Sequence, residues 1–239
     1  MCDTKKFNII YNSKTYSNAG SVATTYPIKI ANKLRNIHIR LPNGDISMMF
    51  ENLWQRVYDI PQSLLPSAAT IVDLGANVGF ATLFFAEKYP CAKIIAVEPS
   101  KGNFAVLAHN TASFTNIETL EAAAYPVAKQ LEFSEGALAY NSKLGAAVGN
   151  MGYTVQGIGM ADLMANFSLT KIDLLKIDIE GAEIDLLRTN TGWLRNVGAI
   201  IAELHEPYNF GQFEQDLSPF GFKVFLPGNH GLKMVFAKK

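Results

Sequence analysis

From Leu175 to Glu180 the chain alternates apolar and charged residues, Leu-Lys-Ile-Asp-Ile-Glu. In a strand, successive side chains point to opposite faces, so Lys176, Asp178 and Glu180 share one face. Charged groups at the end of an otherwise apolar strand point to chemistry rather than packing. The pattern returns at Ala202-Glu203-Leu204-His205-Glu206, where Glu203 and His205 share a face. Two such strands side by side deliver several ionisable groups to one crevice. His205 is the expected general base, because an unperturbed imidazole titrates at about 6.5. Asp178 would take the proton instead if burial raised its pKa, or would orient an acceptor hydroxyl; Lys176 would neutralise the acids, with Glu180 beside them. The same groups also suit a divalent Mg2+ or Mn2+ site made of Asp178, Glu180, Glu203 and His205, since oxygen and imidazole ligands fit those ions. Glu183 reads differently: Gly181 permits a strand-to-helix turn, and an acid in the first helical turn is favoured by the helix dipole.

These groups need a scaffold. From Thr70 onward, apolar runs alternate with helix-compatible stretches, the pattern of a parallel sheet with crossover helices. The runs are TIVDLG, KIIAVEP, NIETLEAA, IDLLKIDIE and GAIIAELH, with helices expected at Phe80–Lys88, Asn103–Thr111 and Ala182–Arg188. In the tail, GFKVFLPGNHGLKMVFAKK, two apolar runs flank Pro227-Gly228-Asn229-His230-Gly231, which predicts an antiparallel hairpin. The expected fold is therefore α/β, a doubly wound, Rossmann-like, mostly parallel seven-stranded sheet that ends in a hairpin, with helices on both faces. Phe133 to Gly159 is rich in Gly, Ala, Asn and Ser and reads as a loop with one or two short strands, either a substrate lid or a plain connection.

Upstream, NIHIRLPNGDISMMF alternates on both sides of Pro42-Asn43-Gly44-Asp45, which is turn chemistry for a hairpin. ENLWQRVYDIPQSLL then reads as a helix interrupted at Pro61. Residues 1 to about 34 read as an extension or small helical cap. The expected organisation is an N-terminal extension over 1–60, carrying a hairpin and a helix and packed on a main domain over 61–239. Trp54, Tyr58, Trp193 and Tyr208 would form either an aromatic wall for a ring-shaped substrate or part of the core.

Composition narrows the function classes. The 239 residues suffice for one large domain, and 49% hydrophobic residues, 18% charged residues and zero net charge describe an ordinary globular protein. Lysine and arginine are scattered, so bulk electrostatics predict no nucleic-acid partner. Cys2 and Cys91 are too few for a disulfide framework or a thiolate metal site and suit a cytoplasmic protein. The N-terminus lacks a signal-peptide apolar core, and no window approaches the roughly 18 apolar residues of a membrane span.

VDLGANVGF, residues 72–80, closes one strand and opens a helix, where open α/β sheets bind ligands. Gly75 and Gly79 clear side chains from the backbone there. The dinucleotide fingerprint GxGxxG is absent, because Asn77 and Phe80 stand where its second and third glycines belong. GxxxxGK[ST] is absent as well. A cofactor with an adenosyl group and no phosphates fits better: S-adenosylmethionine, with Asp73 near the turn and Glu98, about 20 residues on, for the ribose hydroxyls.

The set VDLGANVGF, AVEPS, EAAAYP and IDLLKIDIEGAEIDLL resembles the FkbM family of S-adenosylmethionine-dependent methyltransferases, over roughly Ile71 to Glu206. The resemblance implies a seven-stranded class I methyltransferase sheet. It also implies a cofactor site made of Asp73, Gly75, Ala76, Asn77, Gly79, Phe80, Glu98, Pro99, Ser100, Ala122, Ala123 and Asp178, with Ala122 to Ala124 as the adenine-contacting turn. Met160-Ala161-Asp162-Leu163 departs from the family's usual Leu-Asp pair, which leaves Asp162 without an assigned role. The implied reaction is O-methylation of a hydroxyl on a sugar, glycan precursor or secondary metabolite. N- or carboxyl-methylation of a small metabolite, and a non-catalytic cofactor-binding domain, are the alternatives.

Overall fold

The computed structural model describes residues 22–30, 33–41, 44–134, 143–144, 152–226 and 233–239. β1 (Val22–Ile30) and β2 (Lys33–Leu41) form an antiparallel hairpin. The hairpin expected around Pro42 to Asp45 is thereby corrected: its first arm is β2, but its second is α1 (Asp45–Met49), which runs into a π-helical turn over Phe50–Gln55. Ile46, Met49 and Leu53, spaced i, i+3 and i+7, turn one helical stripe to the core, and this spacing outweighs the alternation of the same letters. Asp45 in the first turn accepts from the backbone N of Arg40 at 2.7 Å and from its guanidinium at 3.0 Å. The helix expected over 51–65 ends at Arg56, which caps it in a left-handed conformation (φ 55°), well before Pro61.

The elements that follow are β3 (Thr70–Leu74), α2 (Phe80–Lys88), β4 (Lys93–Glu98), α3 (Lys101–Thr111), β5 (Ile117–Glu121), β6 (Ala123–Ala124), β7 (Lys129–Ser134), β8 (Lys143–Leu144) and β9 (Gly152–Ile158). After them come α4 (Met160–Asn166), β10 (Ile172–Ile177), α5 (Glu183–Arg188), β11 (Val197–Glu203), α6 (Phe210–Leu217), β12 (Lys223–Phe225) and β13 (Met234–Lys238). The main sheet is mixed, in the order β12-β13-β11-β10-β3-β4-β5. Its five central and right-hand strands are parallel, and β13 runs antiparallel between β11 and β12. The apolar runs are apolar because both faces are covered. Ile71, Ile94, Leu174 and Ile201 pack in one cluster with Phe84 and Phe85 of α2, while Val72, Ile95, Leu175 and Ile200 pack in another with residues of α4, α5 and α6.

The run read as one strand over 116–123 divides at Ala122: β5 stays in the main sheet, and β6 joins a second sheet in the order β6-β9-β7-β8. Much of the stretch read as a possible lid, residues 135–142 and 145–151, lies outside the described residues, as do residues 1–21 and the turn at 227–232. The N-terminal hairpin shares a core cluster with Val78, Phe80 and Leu83. Asn110 of α3 pins it further, its Oδ1 accepting from His38 N at 2.7 Å and its Nδ2 donating to His38 O.

β10 and β3 lie in register with Lys176 opposite Asp73, both essentially without solvent exposure. Lys176 Nζ stands 3.1 Å from Asp73 Oδ1 and donates to the carbonyl of Gly75 at 2.7 Å. Removing one member of a buried pair leaves the other charge unpaired, at a cost of about 3–5 kcal/mol. Lys176→Met is therefore expected to lower the melting midpoint by roughly 6–20 °C, at about 2–4 °C per kcal/mol for a chain of this size. Lys176→Met/Asp73→Leu should recover much of that loss in thermal melts followed by circular dichroism. A single variant that melts within 2 °C of the parent would show that the pair is not a structural anchor.

Candidate active site

The strand ends converge on a cavity of about 390 Å3 at the carboxyl edge of the sheet. Gly75 and Asn77 of the turn after β3, and Glu98 and Pro99 at the end of β4, line one side. Ala123 and Ala124 of β6, with Phe133 of β7, add an apolar wall. Asp178, Ile179 and Glu180 after β10, and Glu203 at the end of β11, line the other side. Ser47, Met48 and Glu51, from the helical segment after β2, complete it.

Backbone geometry shapes the glycine turn. Gly75 has φ +74°, and a Cβ there would stand 1.7 Å from the carbonyl oxygen of Asp178, so the turn and the β10 exit touch only because the side chain is absent. The amides of Gly75 and Ala76 both donate to Val97 O, and Asp178 N donates to Leu74 O, which stitches the three strand ends together. Asn77 also has positive φ (50°), and its buried Oδ1 has no hydrogen-bond partner.

Glu98 is 5% exposed and gathers donors: Asn77 N to Oε2 at 2.8 Å, Ser100 N to Oε1 at 3.0 Å and Asn103 Nδ2 to Oε1 at 3.3 Å. Burial outweighs these bonds and the charge of Lys176 and pushes its pKa up to about 7.

Several residues expected at the cofactor do not line the cavity. Asp73 is spent on Lys176 and on the Thr82 hydroxyl, which donates at 2.6 Å, so it braces the turn from beneath. Ala76 and Phe80 point into packed clusters, and Ala122 into the core behind β6. Gly79 serves helix packing, since a Cβ would approach Leu107 to 2.9 Å. Ser100 caps α3, its hydroxyl accepting from Asn103 N. Asp162 sits exposed in the first turn of α4, away from the cavity. Sequence reasoning missed Asn103, Phe133, Ile179 and the residues of the 47–51 segment. The helical spacing of Ile46, Met49 and Leu53 was the signal that would have brought the last of these into view.

The charged face divides. Lys176 stays in the core rather than facing an acceptor; burial lowers its pKa, but Asp73 and Asp178 outweigh this and hold it raised. Asp178 Oδ2 accepts from the Tyr58 hydroxyl at 2.9 Å and lies 3.7 Å from Lys176 Nζ. Glu180 adopts φ +54° and Gly181 φ +104°, a left-handed pair that swings the chain between β10 and α5. His205 Nε2 lies 3.7 Å from Glu180 Oε2 and 3.9 Å from Asp178 Oδ1. His205 Nδ1 donates to Glu183 Oε1 at 2.9 Å; a carboxylate only accepts, which assigns the ring proton.

Glu183 is fully buried, and its Oε1 also accepts from Ile179 N at 3.2 Å. It is a helix-start acid as expected, yet it also orients the histidine, which sequence alone concealed. Burial pulls the His205 pKa down, but the bond and charge of Glu183, then Asp178 and Glu180, prevail and push it up to about 9. A ring held in this way carries its proton at neutral pH, the protonation state of an acid rather than of the expected general base. Glu203 and Glu51 have raised pKa values, by burial first and by Asp178 second. Of the four aromatics, Tyr58 reaches the site, Trp54 stacks with Phe50, and Trp193 and Tyr208 belong to the core.

The α/β sheet opens a glycine turn, a buried carboxylate and a crevice of ionisable groups onto one cavity at the carboxyl ends of its strands, where open α/β sheets bind ligands. Residues 73–226 match the Methyltransferase FkbM domain, and the chain belongs to that family of methyltransferases. Methyltransferase sdnD of Sordaria araneosa is 29% identical over 209 residues, covering 70% of this chain and 78% of its own length. Hexuronic acid methyltransferase AglP of Haloferax volcanii is 25% identical over 139 residues, covering 56% of this chain and 54% of that protein, so the match spans about half of that relative. The solved structure of the Methanococcus jannaschii fibrillarin pre-rRNA processing protein aligns with a TM-score of 0.49 at 15% identity, covering 93% of this chain and 90% of that one. Among the described residues no helix is long and apolar enough to cross a membrane.

The His205 pKa is raised above its unfolded value, so its contribution to stability is complete below about pH 6.5 and is lost as pH rises through about 9. The melting midpoint is expected to fall across that window, and His205→Gln to flatten the fall. Nuclear magnetic resonance of the ring should place the titration near 9 in the parent and lower in Glu183→Gln. A parent titration at 6.5 would refute the arrangement.

Proposed function

We propose that the chain transfers the methyl group of S-adenosylmethionine to a hydroxyl of a sugar, glycan precursor or secondary metabolite. The observation that carries this reading is one cavity whose lining holds Glu51, Glu98, Asp178, Glu180 and Glu203 and, among the described residues, no lysine or arginine. Such a lining suits a cationic, phosphate-free cofactor and disfavours a dinucleotide. S-adenosylmethionine supplies a methyl group on a positively charged sulfur. The residues present fit it: Glu98 accepts from ribose hydroxyls, the unpartnered Asn77 Oδ1 offers a further acceptor, and Ala123, Ala124 and Phe133 give the adenine an apolar wall.

The chain's own work is then positioning and proton removal, since the transfer needs no protein nucleophile. Asp178, held by Tyr58 and Lys176, fixes the acceptor, and Glu203 at the end of β11 takes the hydroxyl proton. The similarity to a hexuronic acid methyltransferase supports a sugar-like acceptor.

Calorimetry with S-adenosylmethionine should give one site. Glu98→Gln should weaken it about tenfold or more, because hydrogen bonds to a charged group are worth about 1.5–3 kcal/mol. Parent affinity should fall as pH drops from 8 to 6 and Glu98 takes up its proton, whereas the variant should be insensitive to pH in that range. Absence of cofactor binding would overturn the reading. In a screen with methyl-labelled cofactor, label is expected on a hydroxyl oxygen, and Glu203→Gln should lower kcat by about 10²–10⁴ with cofactor affinity unchanged. Label on an amine or carboxyl group would overturn the O-methylation.

A further inference from the structure

We propose that Asp178, Glu180 and His205 bind a divalent cation of the Mg2+ or Mn2+ kind in the wall of the cavity opposite Glu98. One ligand atom from each of the three lies within 4.8 Å of the others. Around an octahedral ion with bonds of about 2.1 Å, neighbouring ligands stand about 3 Å apart and opposite ones about 4.2 Å. The 3.7 Å and 3.9 Å separations from His205 Nε2 fall inside that range.

Proximity alone would describe any acidic cluster. Here the far atoms of two ligands are also committed. His205 Nδ1 donates to Glu183, a carboxylate without solvent exposure that is itself held by Ile179 N, so Nε2 is aimed at the two acids. A carboxylate behind the far nitrogen of a histidine is the outer support that metal-ligating imidazoles carry. On the other ligand, Asp178 Oδ2 is held by the Tyr58 hydroxyl and faces Lys176, which leaves Oδ1 turned to His205. The third ligand is brought in by left-handed backbone at Glu180, a conformation that a residue with a Cβ adopts at a cost and that recurs at functional sites. Glu203, which the sequence suggested as a fourth ligand, is not part of this group of three.

Asp178 and Glu180 both line the cavity, so the remaining coordination positions face its contents. Two adjacent oxygens of an acceptor, such as a vicinal diol, would fill them. The ion would fix the acceptor and lower the pKa of the hydroxyl that Glu203 deprotonates. Binding displaces the Nε2 proton to solvent, and no oxidant or reductant is involved. The inference deepens the methyltransferase reading, but its test is independent of turnover.

The full chain, stripped with a chelator and free of cofactor, is titrated with Mn2+ by calorimetry and by the loss of the free-ion paramagnetic resonance signal. One Mn2+ per chain is expected. Glu180→Gln, half-buried at the surface, and His205→Ala should each raise its Kd tenfold or more. Glu183→Gln should raise it about 10–100-fold, as loss of such an outer support does elsewhere. Asp162→Asn, exposed and distant from the cavity, should leave it unchanged. Absence of stoichiometric Mn2+ binding overturns the site, as does a Kd unchanged in Glu180→Gln and His205→Ala, each checked by circular dichroism to be folded. S-adenosylmethionine binding on the same metal-free preparation reports separately: if it persists where Mn2+ does not bind, the ion site falls and the methyltransferase reading stands.

Discussion

Lys176 places a positive charge in the middle of a parallel sheet, where an unpaired ammonium would be strongly disfavoured. Its Nζ meets Asp73 across the strand and the carbonyls of Leu74 and Gly75 above it, with Asp178 3.7 Å away. Those contacts tie the end of β3, the glycine turn and the exit of β10 into one body. Gly75 and Asp178 both line the cavity, so a single buried ammonium helps fix the distance between the glycine turn and the β10 exit. Gly75 supplies the complementary constraint, because the Asp178 carbonyl occupies the space a side chain would need.

Around that anchor the carboxylates fall into two environments. Glu98 is satisfied by backbone and side-chain donors, and burial pushes its pKa up to about 7 despite them. Asp178, Glu180 and Glu183 instead surround one histidine, and their combined charge holds the imidazole protonated at neutral pH. Similar residue types at neighbouring strand ends therefore do different work, decided by which donors the fold brings to each.

Where packing is periodic and local, the sequence was readable. The apolar runs at β3, β4, β10 and β11 are long because both sheet faces are covered, and α2 starts and stops at the residues its pattern predicted. Half of the expected cofactor residues, such as Gly75, Asn77 and Glu98, do line the cavity. The others, such as Asp73, Phe80 and Ser100, lie in the same motifs but hold the turn from behind. A motif records which residues a turn requires and does not separate those that touch a ligand from those that support its backbone. The segment at 45–55 misled because its letters alternate and also repeat at helical spacing, and only the presence of a core on one side chooses between the two.

The sequence by itself determined the strand and helix periods, the glycine turn, the absence of a dinucleotide fingerprint and the strand ends that carry charge, because each is a property of neighbouring residues. Only the tertiary structure decided that Lys176 is an anchor, that Glu183 orients His205 from 22 residues away and that Tyr58 reaches Asp178 from 120 residues away. The His205 pKa belongs to the second group for the same reason. It is set by charges and burial that converge in space, and no spacing along the chain encodes their sum.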